Sequence, residues 1–117
     1  MKYVSKITAI GALAQNFLDS NHSIILVNDS LAKDLVADIA IQHTNAKLTK
    51  NIAAGDTLLW GSVAFRIIAV GKQANETLRE AGHCTIVFNA AIELPGQIAV
   101  EGMLSPRLQL GTAICFE

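Results

Sequence analysis

Apolar and polar residues alternate along several short stretches of this sequence, and a period of two is the pattern of half-buried β-strands. Glycine, proline and asparagine lie between these stretches, and Gly61-Ser62 is a pair suited to a tight hairpin. Seven or eight short strands with turns between them favour an all-β fold, a small barrel or a sandwich. The predicted strands cover 3–10, 23–27, 57–60, 62–70, 83–89, 97–101 and 112–116, with a further one ending at His43.

Two short segments have helical spacing instead. Asp29-Ser30 supplies N-capping oxygens ahead of LAKDLVADIA, residues 31–40. The second predicted helix is QANETLREAG, residues 73–82, in which Leu78 is the single large apolar anchor and Gly82 fits the C′ position. Helices of this length are not stable alone, so both are expected to pack on the sheet.

The stretch DIAIQHTNAKL (38–48) raises a chemical question at His43. In an extended segment Ile39, Ile41 and His43 share one face, and that face is expected to be buried. A histidine there is either a core residue with a hydrogen-bonding partner or a reactive group at the rim of the core. AGDTLLWG (54–61) and LGTAICFE (110–117) are faintly alike, too little to predict an internal repeat.

Composition narrows the class of protein. With 117 residues, 51% apolar and 16% charged, the chain is expected to form one domain with a filled core, spanning 1–117. Nine basic and ten acidic residues are spread without runs, which argues against a nucleic-acid or anionic-membrane surface. The N-terminus alternates too strictly for a signal peptide. No apolar run approaches the roughly 20 residues of a membrane span.

Other chemistry-bearing residues have ordinary interpretations. Cys84 and Cys115 are expected to be reduced, buried thiols, although spacing leaves a bridge between them open. A metal site is disfavoured because only His83 and Cys84 are close, and adjacent strand residues point to opposite faces. Trp60 and Phe65 are expected to pack in the core. No metal or other cofactor is predicted.

One family resemblance covers essentially the whole chain. It rests on the strand ending IQH (41–43), on AVGKQANETLREAGHCTIVF (69–88), on LPGQIAVEG (94–102) and on the closing LGTAICFE. On these motifs the chain resembles the glucitol/sorbitol-specific IIA component of the sugar phosphotransferase system. The resemblance implies a barrel-like all-β fold with two short helices, a cytoplasmic location and a phosphocarrier function in sugar transport.

The resemblance also implies roles for residues and partners. His43 would accept a phosphoryl group from the phosphocarrier HPr, hold it as phosphohistidine, on Nε2 by family precedent, and pass it to a cysteine of the transporter's IIB component. No contact with sugar, nucleic acid or membrane, and no cofactor, is implied. The alternative is a small β-barrel regulatory or binding module without a transport role, and a structural subunit of a larger assembly is a further possibility.

Phosphoryl transfer by His43 would require particular neighbouring groups. A neutral imidazole has one nitrogen free to attack, while the other is oriented by a hydrogen bond, most simply to a neighbouring carbonyl. Phosphoryl transfer then needs donors to the phosphate oxygens, and Thr44, Asn45 and Lys47 are candidates. His83 is either a partner of His43 or a residue that orders its loop through the backbone. His43 is expected to lie reachable at the barrel rim.

Overall fold

The computed structural model of the chain describes residues 1–30 and 38–117. The strands it places there close into a barrel, in the order β1-β3-β2-β6-β7-β5-β4-β8. The predicted all-β barrel with short helices is therefore confirmed. The strands are β1 Tyr3–Ile10, β2 Ser23–Asn28, β3 Ala40–His43, β4 Thr57–Trp60, β5 Val63–Val70, β6 Cys84–Phe88, β7 Gln97–Glu101 and β8 Ala113–Phe116, and the helices are α1 Ala14–Asn21 and α2 Ala74–Ala81.

Alternation along the strands fills the barrel. In β1 the side chains are buried and exposed in turn, and the buried set faces the interior. Trp60 and Phe65 are each 1% exposed, which confirms their predicted place in the core. The indole Nε1 of Trp60 donates to the Arg107 carbonyl at 2.7 Å, so its one polar atom is satisfied. Neither described helix is long and apolar enough to cross a lipid bilayer.

The helices were harder to predict than the strands. α2 is confirmed, with Leu78 fully buried and Gly82 at the C-cap in the left-handed region. The predicted helix over 31–40 falls mostly outside the described residues, but its end is wrong, since Asp38-Ile39 form a turn and Ala40 begins β3. α1 was not predicted, because it buries only Ala14 and Leu18 and has no side-chain N-cap.

The barrel consists of two similar halves. The first runs β1-α1-β2-β3-β4 and the second β5-α2-β6-β7-β8. The β2–β3 and β6–β7 pairs are both parallel. The β1–β3 ladder shifts register between Ile7 and Ala9, and the β5–β7 ladder shifts at the equivalent Ile67 and Ala69. A bulge repeated at equivalent positions indicates one structural plan used twice.

Strand pairing shows which positions of the two halves are equivalent. Strand β4 pairs with β5 as β8 pairs with β1, which explains the faint likeness of 54–61 to 110–117. Ile7 lies opposite His43, and its counterpart Ile67 lies opposite Val100. His43 in one half thus occupies the position of a valine in the other.

The segment after β3, residues 44–56, forms a cover that packs on the core. Leu48 and Ile52 are buried in the core, and the Asn75 side chain of α2 bonds to both the N–H and the carbonyl of Ile52, at 2.7 and 3.0 Å. Lys2 Nζ lies 2.5 Å from Asp56 Oδ2, joining the N-terminus to the end of this segment. The cover is therefore fixed at both a helix and the first strand.

Removing the carboxylate of Asp56 is expected to weaken this attachment. The hydrogen bond from Lys2 lowers the pKa of Asp56, with the Ala53 N–H acting in the same direction and burial acting in the opposite one. Because the folded-state pKa lies below the unfolded value near 3.9, the stabilisation is present above that pH and is lost as pH falls through the folded-state pKa. Asp56→Asn should cost about 0.5–1 kcal/mol at pH 7.

Urea unfolding of both proteins between pH 3 and pH 7 checks this expectation. The difference between wild type and Asp56→Asn should shrink as the pH falls below about 4. Glu93→Gln, at an exposed carboxylate in another loop, is the control and should show no such difference. A cost for Asp56→Asn that is independent of pH would contradict the role given to the ion pair.

Candidate functional site

His43 ends β3 and its side chain is completely buried, with 0% exposed. Strand β3 lies between β1 and β2, where Ile7 and Asn28 are the register partners of His43. The carbonyl of His43 accepts the N–H of Asp29 at 2.8 Å, which fixes the backbone at the strand end. Ile41 and His43 are both buried, as predicted, whereas Ile39 lies half-buried in the turn before the strand.

Both ring nitrogens of His43 face backbone carbonyl oxygens. Nδ1 lies 2.8 Å from the Thr44 carbonyl, and Nε2 lies 2.7 Å from the Gly82 carbonyl. A neutral imidazole has one N–H and donates to only one of them, whereas an imidazolium donates to both. In the neutral ring one carbonyl therefore faces a nitrogen lone pair at hydrogen-bond distance, which is repulsive.

The expectation that His43 would be reachable at the rim is wrong for this conformation. The turn that follows α2 places Gly82 against the imidazole. On another side the Tyr3 ring meets the imidazole edge-on, with centroids 5.9 Å apart and planes at 77°. Since neither nitrogen has a free lone pair open to a partner, His43 cannot accept a phosphoryl group as it stands.

Gly82 fits this position because it has no side chain. Its φ of 60° lies in the left-handed region, which glycine adopts with little strain. A Cβ there would lie 2.8 Å from Asn28 Cβ and 3.2 Å from His43 Cε1. Its counterpart His22 caps α1 with a similar φ of 52° and does carry a side chain. The tight fit is therefore found at the cap of α2, where Gly82 of one half packs against the imidazole of the other half.

Asn28 forms a small polar network next to His43. The side chain is 4% exposed, and its Nδ2 donates to Asn45 Oδ1 at 2.8 Å. Its Oδ1 accepts both the N–H and the hydroxyl of Ser30, at 2.9 and 2.7 Å. Sequence reasoning missed this residue, and the available signal was an asparagine at the end of the apolar run SIILVN.

The other predicted site residues lie around this network rather than on the imidazole. Thr44 is half-buried and its hydroxyl accepts the Lys6 N–H at 3.1 Å, so its carbonyl is the group that meets His43. Asn45 and Lys47 are exposed. The His83 side chain is exposed too, and its N–H donates to the Thr77 carbonyl at 3.2 Å. Both ring nitrogens of His43 already contact backbone carbonyls, so neither Lys47 nor His83 forms a hydrogen bond with the imidazole.

The buried cysteines and Tyr3 bear on the charge near the imidazole. Cys84 and Cys115 are free and buried, as expected. Desolvation raises the pKa of the Cys84 thiol to about 12. It raises the pKa of Tyr3 to about 12 as well, with a smaller contribution from Cys84. Both groups are therefore neutral at physiological pH, and neither supplies a charge to the imidazole.

Removing the hydroxyl of Tyr3 is expected to be harmless to stability. That hydroxyl is buried and has no hydrogen-bond partner among the described residues. A buried hydroxyl without a partner loses its hydrogen bonds to water and gains none in the folded protein. Tyr3→Phe should therefore leave the free energy of unfolding unchanged or raise it by up to about 1 kcal/mol. The measurement is urea unfolding followed by circular dichroism.

The matched control is Trp60→Phe, which loses the bond from Nε1 to the Arg107 carbonyl as well as volume. That change should cost about 1–3 kcal/mol. A loss of similar size in Tyr3→Phe would mean that the hydroxyl has a partner in solution.

Comparisons with known proteins agree along the whole chain. Residues 2–115 match the family model described as the PTS system glucitol/sorbitol-specific IIA component. Proteins named PTS system glucitol/sorbitol-specific EIIA component, from Shigella flexneri and from Escherichia coli K12, are each 30% identical, over 98% of this chain and 94% of theirs. The crystal structure of a PTS system IIA component from Enterococcus faecalis V583 superposes with a TM-score of 0.85 at 25% identity, over 97% of this chain and 98% of that one.

Proposed function

We propose that His43 is the phosphoryl acceptor of this chain, which belongs to the family of glucitol/sorbitol-specific IIA components of the phosphotransferase system. A member of this family is a phosphotransferase component: it receives a phosphoryl group from one protein and gives it to another. The chain has three histidines, at positions 22, 43 and 83. The question is which of them carries the group.

The observation that supports His43 is the difference between the two halves of the barrel. Val100 stands at the equivalent position, opposite Ile67 and Phe88 as His43 stands opposite Ile7 and Asn28. Its carbonyl accepts the Asn89 N–H at 2.7 Å, as that of His43 accepts the Asp29 N–H. The fold therefore builds the same strand end with an apolar residue. A buried imidazole costs desolvation that valine avoids, so a functional reason for His43 is favoured over a structural one.

The bonds of the imidazole are consistent with attack by Nε2. The Thr44 carbonyl is adjacent in sequence to His43, so a proton on Nδ1 keeps its acceptor whatever happens elsewhere in the fold. With that proton in place, Nε2 has the lone pair. Phosphorus bound to an imidazole nitrogen remains transferable, which is what a carrier between two proteins requires.

Groups that follow His43 in the chain are suited to the phosphate oxygens. The transition state spreads negative charge over its equatorial oxygens, so catalysis consists of positioning and of hydrogen-bond donors. The Thr44 hydroxyl, the Asn45 amide and the Lys47 ammonium lie within four residues of His43, and Asn45 and Lys47 are exposed. We assign them this role once the site opens, whereas His83 acts through its backbone.

The partners we propose are phosphorylated HPr as donor and a cysteine of the IIB component as acceptor. Family membership implies exchange with a phosphocarrier and with a IIB protein in general terms. We propose that this exchange with HPr takes place in the cytoplasm. No cofactor enters the reaction, because the phosphoryl group passes directly from one side chain to the next.

Replacement of His43 tests the proposal. His43→Gln should reduce phosphoryl acceptance at least ~100-fold, because no nucleophilic nitrogen remains at the site. The protein is incubated with phosphoenolpyruvate, enzyme I and HPr, and acid-labile, base-stable phosphate is quantified. Circular dichroism shows whether the barrel is retained, and a stability cost of about 1–3 kcal/mol is expected from the altered hydrogen bonds.

His22→Gln and His83→Gln are the matched controls, because they change the chain's other histidines, which are both exposed. Each should still accept one phosphoryl group per chain. If folded His43→Gln is labelled to the wild-type level, or if one of the controls loses its label, the acceptor is not His43.

A further inference from the structure

We infer that Gly82 is a positioning residue for His43, and that the peptide between Gly82 and His83 has to turn away from the imidazole before phosphoryl transfer. This inference rests on the proposed function. Its starting point is the 2.7 Å contact between Nε2 and the Gly82 carbonyl oxygen. We call this contact the latch.

The latch and the phosphoryl group compete for the same place. Nε2 directs its hydrogen, or its lone pair, outward from the ring in the ring plane, and the Gly82 oxygen lies on that side at a hydrogen-bond distance of 2.7 Å. A new N–P bond has to form along the same direction. Since His43 is 0% exposed, the partner cannot approach by another path without a rearrangement.

The transfer step itself shows which form of His43 is needed. The N–P bond of the donor phosphohistidine breaks, its electron pair stays on the donor ring, and the lone pair of Nε2 forms the new N–P bond. Before the step, the proton that Nε2 carries in the latched ring is released to solvent and Nδ1 takes one up, at the Thr44 carbonyl. Each ring then keeps the proton on its other nitrogen during the transfer. In this tautomer the Nε2 lone pair faces the Gly82 oxygen and repels it. The reactive tautomer is thus the one that the latch holds least well.

The turn after α2 has features that allow the peptide between Gly82 and His83 to rotate. The Gly82 carbonyl and the His83 N–H belong to one planar peptide, so they rotate together. Among the described residues, the His83 N–H donates to the Thr77 carbonyl alone, at 3.2 Å, at the long end of hydrogen-bond distances. Gly82 tolerates a wider range of backbone angles than any other residue. The N–H of Gly82 donates separately to the Leu78 carbonyl at 3.0 Å, so the helix end stays capped.

The equivalent turn in the other half lacks these properties. The carbonyl of His22 accepts the Phe88 N–H at 2.8 Å and so continues the β2–β6 ladder. The Gly82 carbonyl is held by a side chain, the imidazole of His43. The His22 turn is therefore hydrogen-bonded into the sheet, whereas the Gly82 turn contacts the imidazole of His43, which we propose as the reacting group.

Hydrogen exchange of single amides, measured by NMR before and after phosphorylation, tests the inference. In the unphosphorylated protein the Nε2 proton of His43 should give a protected, observable resonance. After incubation with phosphoenolpyruvate, enzyme I and HPr, that resonance should vanish, and exchange of the His83 amide should accelerate at least ~10-fold. The His22 amide, in the equivalent turn, should change less than about twofold.

Two glycine variants refine the test. Gly82→Ala introduces a Cβ that meets Asn28 and His43, so it should push the turn off the imidazole and accelerate His83 exchange without phosphorylation. Gly111→Ala is the matched control, because Gly111 also has a positive φ, of 81°, but has nothing within 4 Å of the added Cβ. Gly111→Ala also places an alanine at a positive φ but creates no such contact. The His83 amide of this variant should therefore exchange at the wild-type rate.

The possible failures are distinguishable. A phosphate on His22 or His83 overturns the proposed acceptor. A phosphate on His43 with unchanged exchange at His83 overturns the latch alone, as does a folded Gly82→Ala with wild-type exchange. If Gly82→Ala does not fold, the comparison of phosphorylated with unphosphorylated wild type decides the inference.

Discussion

One buried imidazole between two backbone carbonyls is the constraint on which the site depends. The Thr44 and Gly82 oxygens lie 2.8 and 2.7 Å from the two nitrogens of His43, and a neutral ring satisfies only one of them. Because the Thr44 carbonyl is local and the Gly82 carbonyl comes from a distant turn, the second contact is the one that gives way. The conformation described here is therefore a closed state, and a carrier made from it needs an open one.

The repeated plan of the barrel explains how such a site arises without changing the fold. Both halves form the same bulge, the same parallel strand pair and the same helix cap. One half has His43 at the strand end and His22 at the helix cap, and the other half has Val100 and Gly82 at these positions. The imidazole supplies chemistry and the glycine supplies room for it.

Prediction from sequence succeeded where a local pattern carries the physical information. Alternation located β1 and β5, which have one buried face, and a short apolar run located β2, which is buried on both faces. Leu78 with Gly82 located α2. It failed for α1, whose only buried residues are Ala14 and Leu18 and whose C-cap is His22 rather than glycine. The inward face of His43 was predictable, but its two carbonyl partners were not, because the contact with Gly82 joins residues far apart in the chain. The network around Asn28 was invisible for the same reason.

The role of Nε2 of His43 is tested directly on the phosphorylated protein with ¹⁵N-labelled histidines. NMR detects which ring nitrogen is coupled to phosphorus and which carries a proton. We expect phosphorus on Nε2 of His43, with the proton on Nδ1 facing the Thr44 carbonyl. Phosphorus on Nδ1 of His43, or on a nitrogen of His22 or His83, would contradict it.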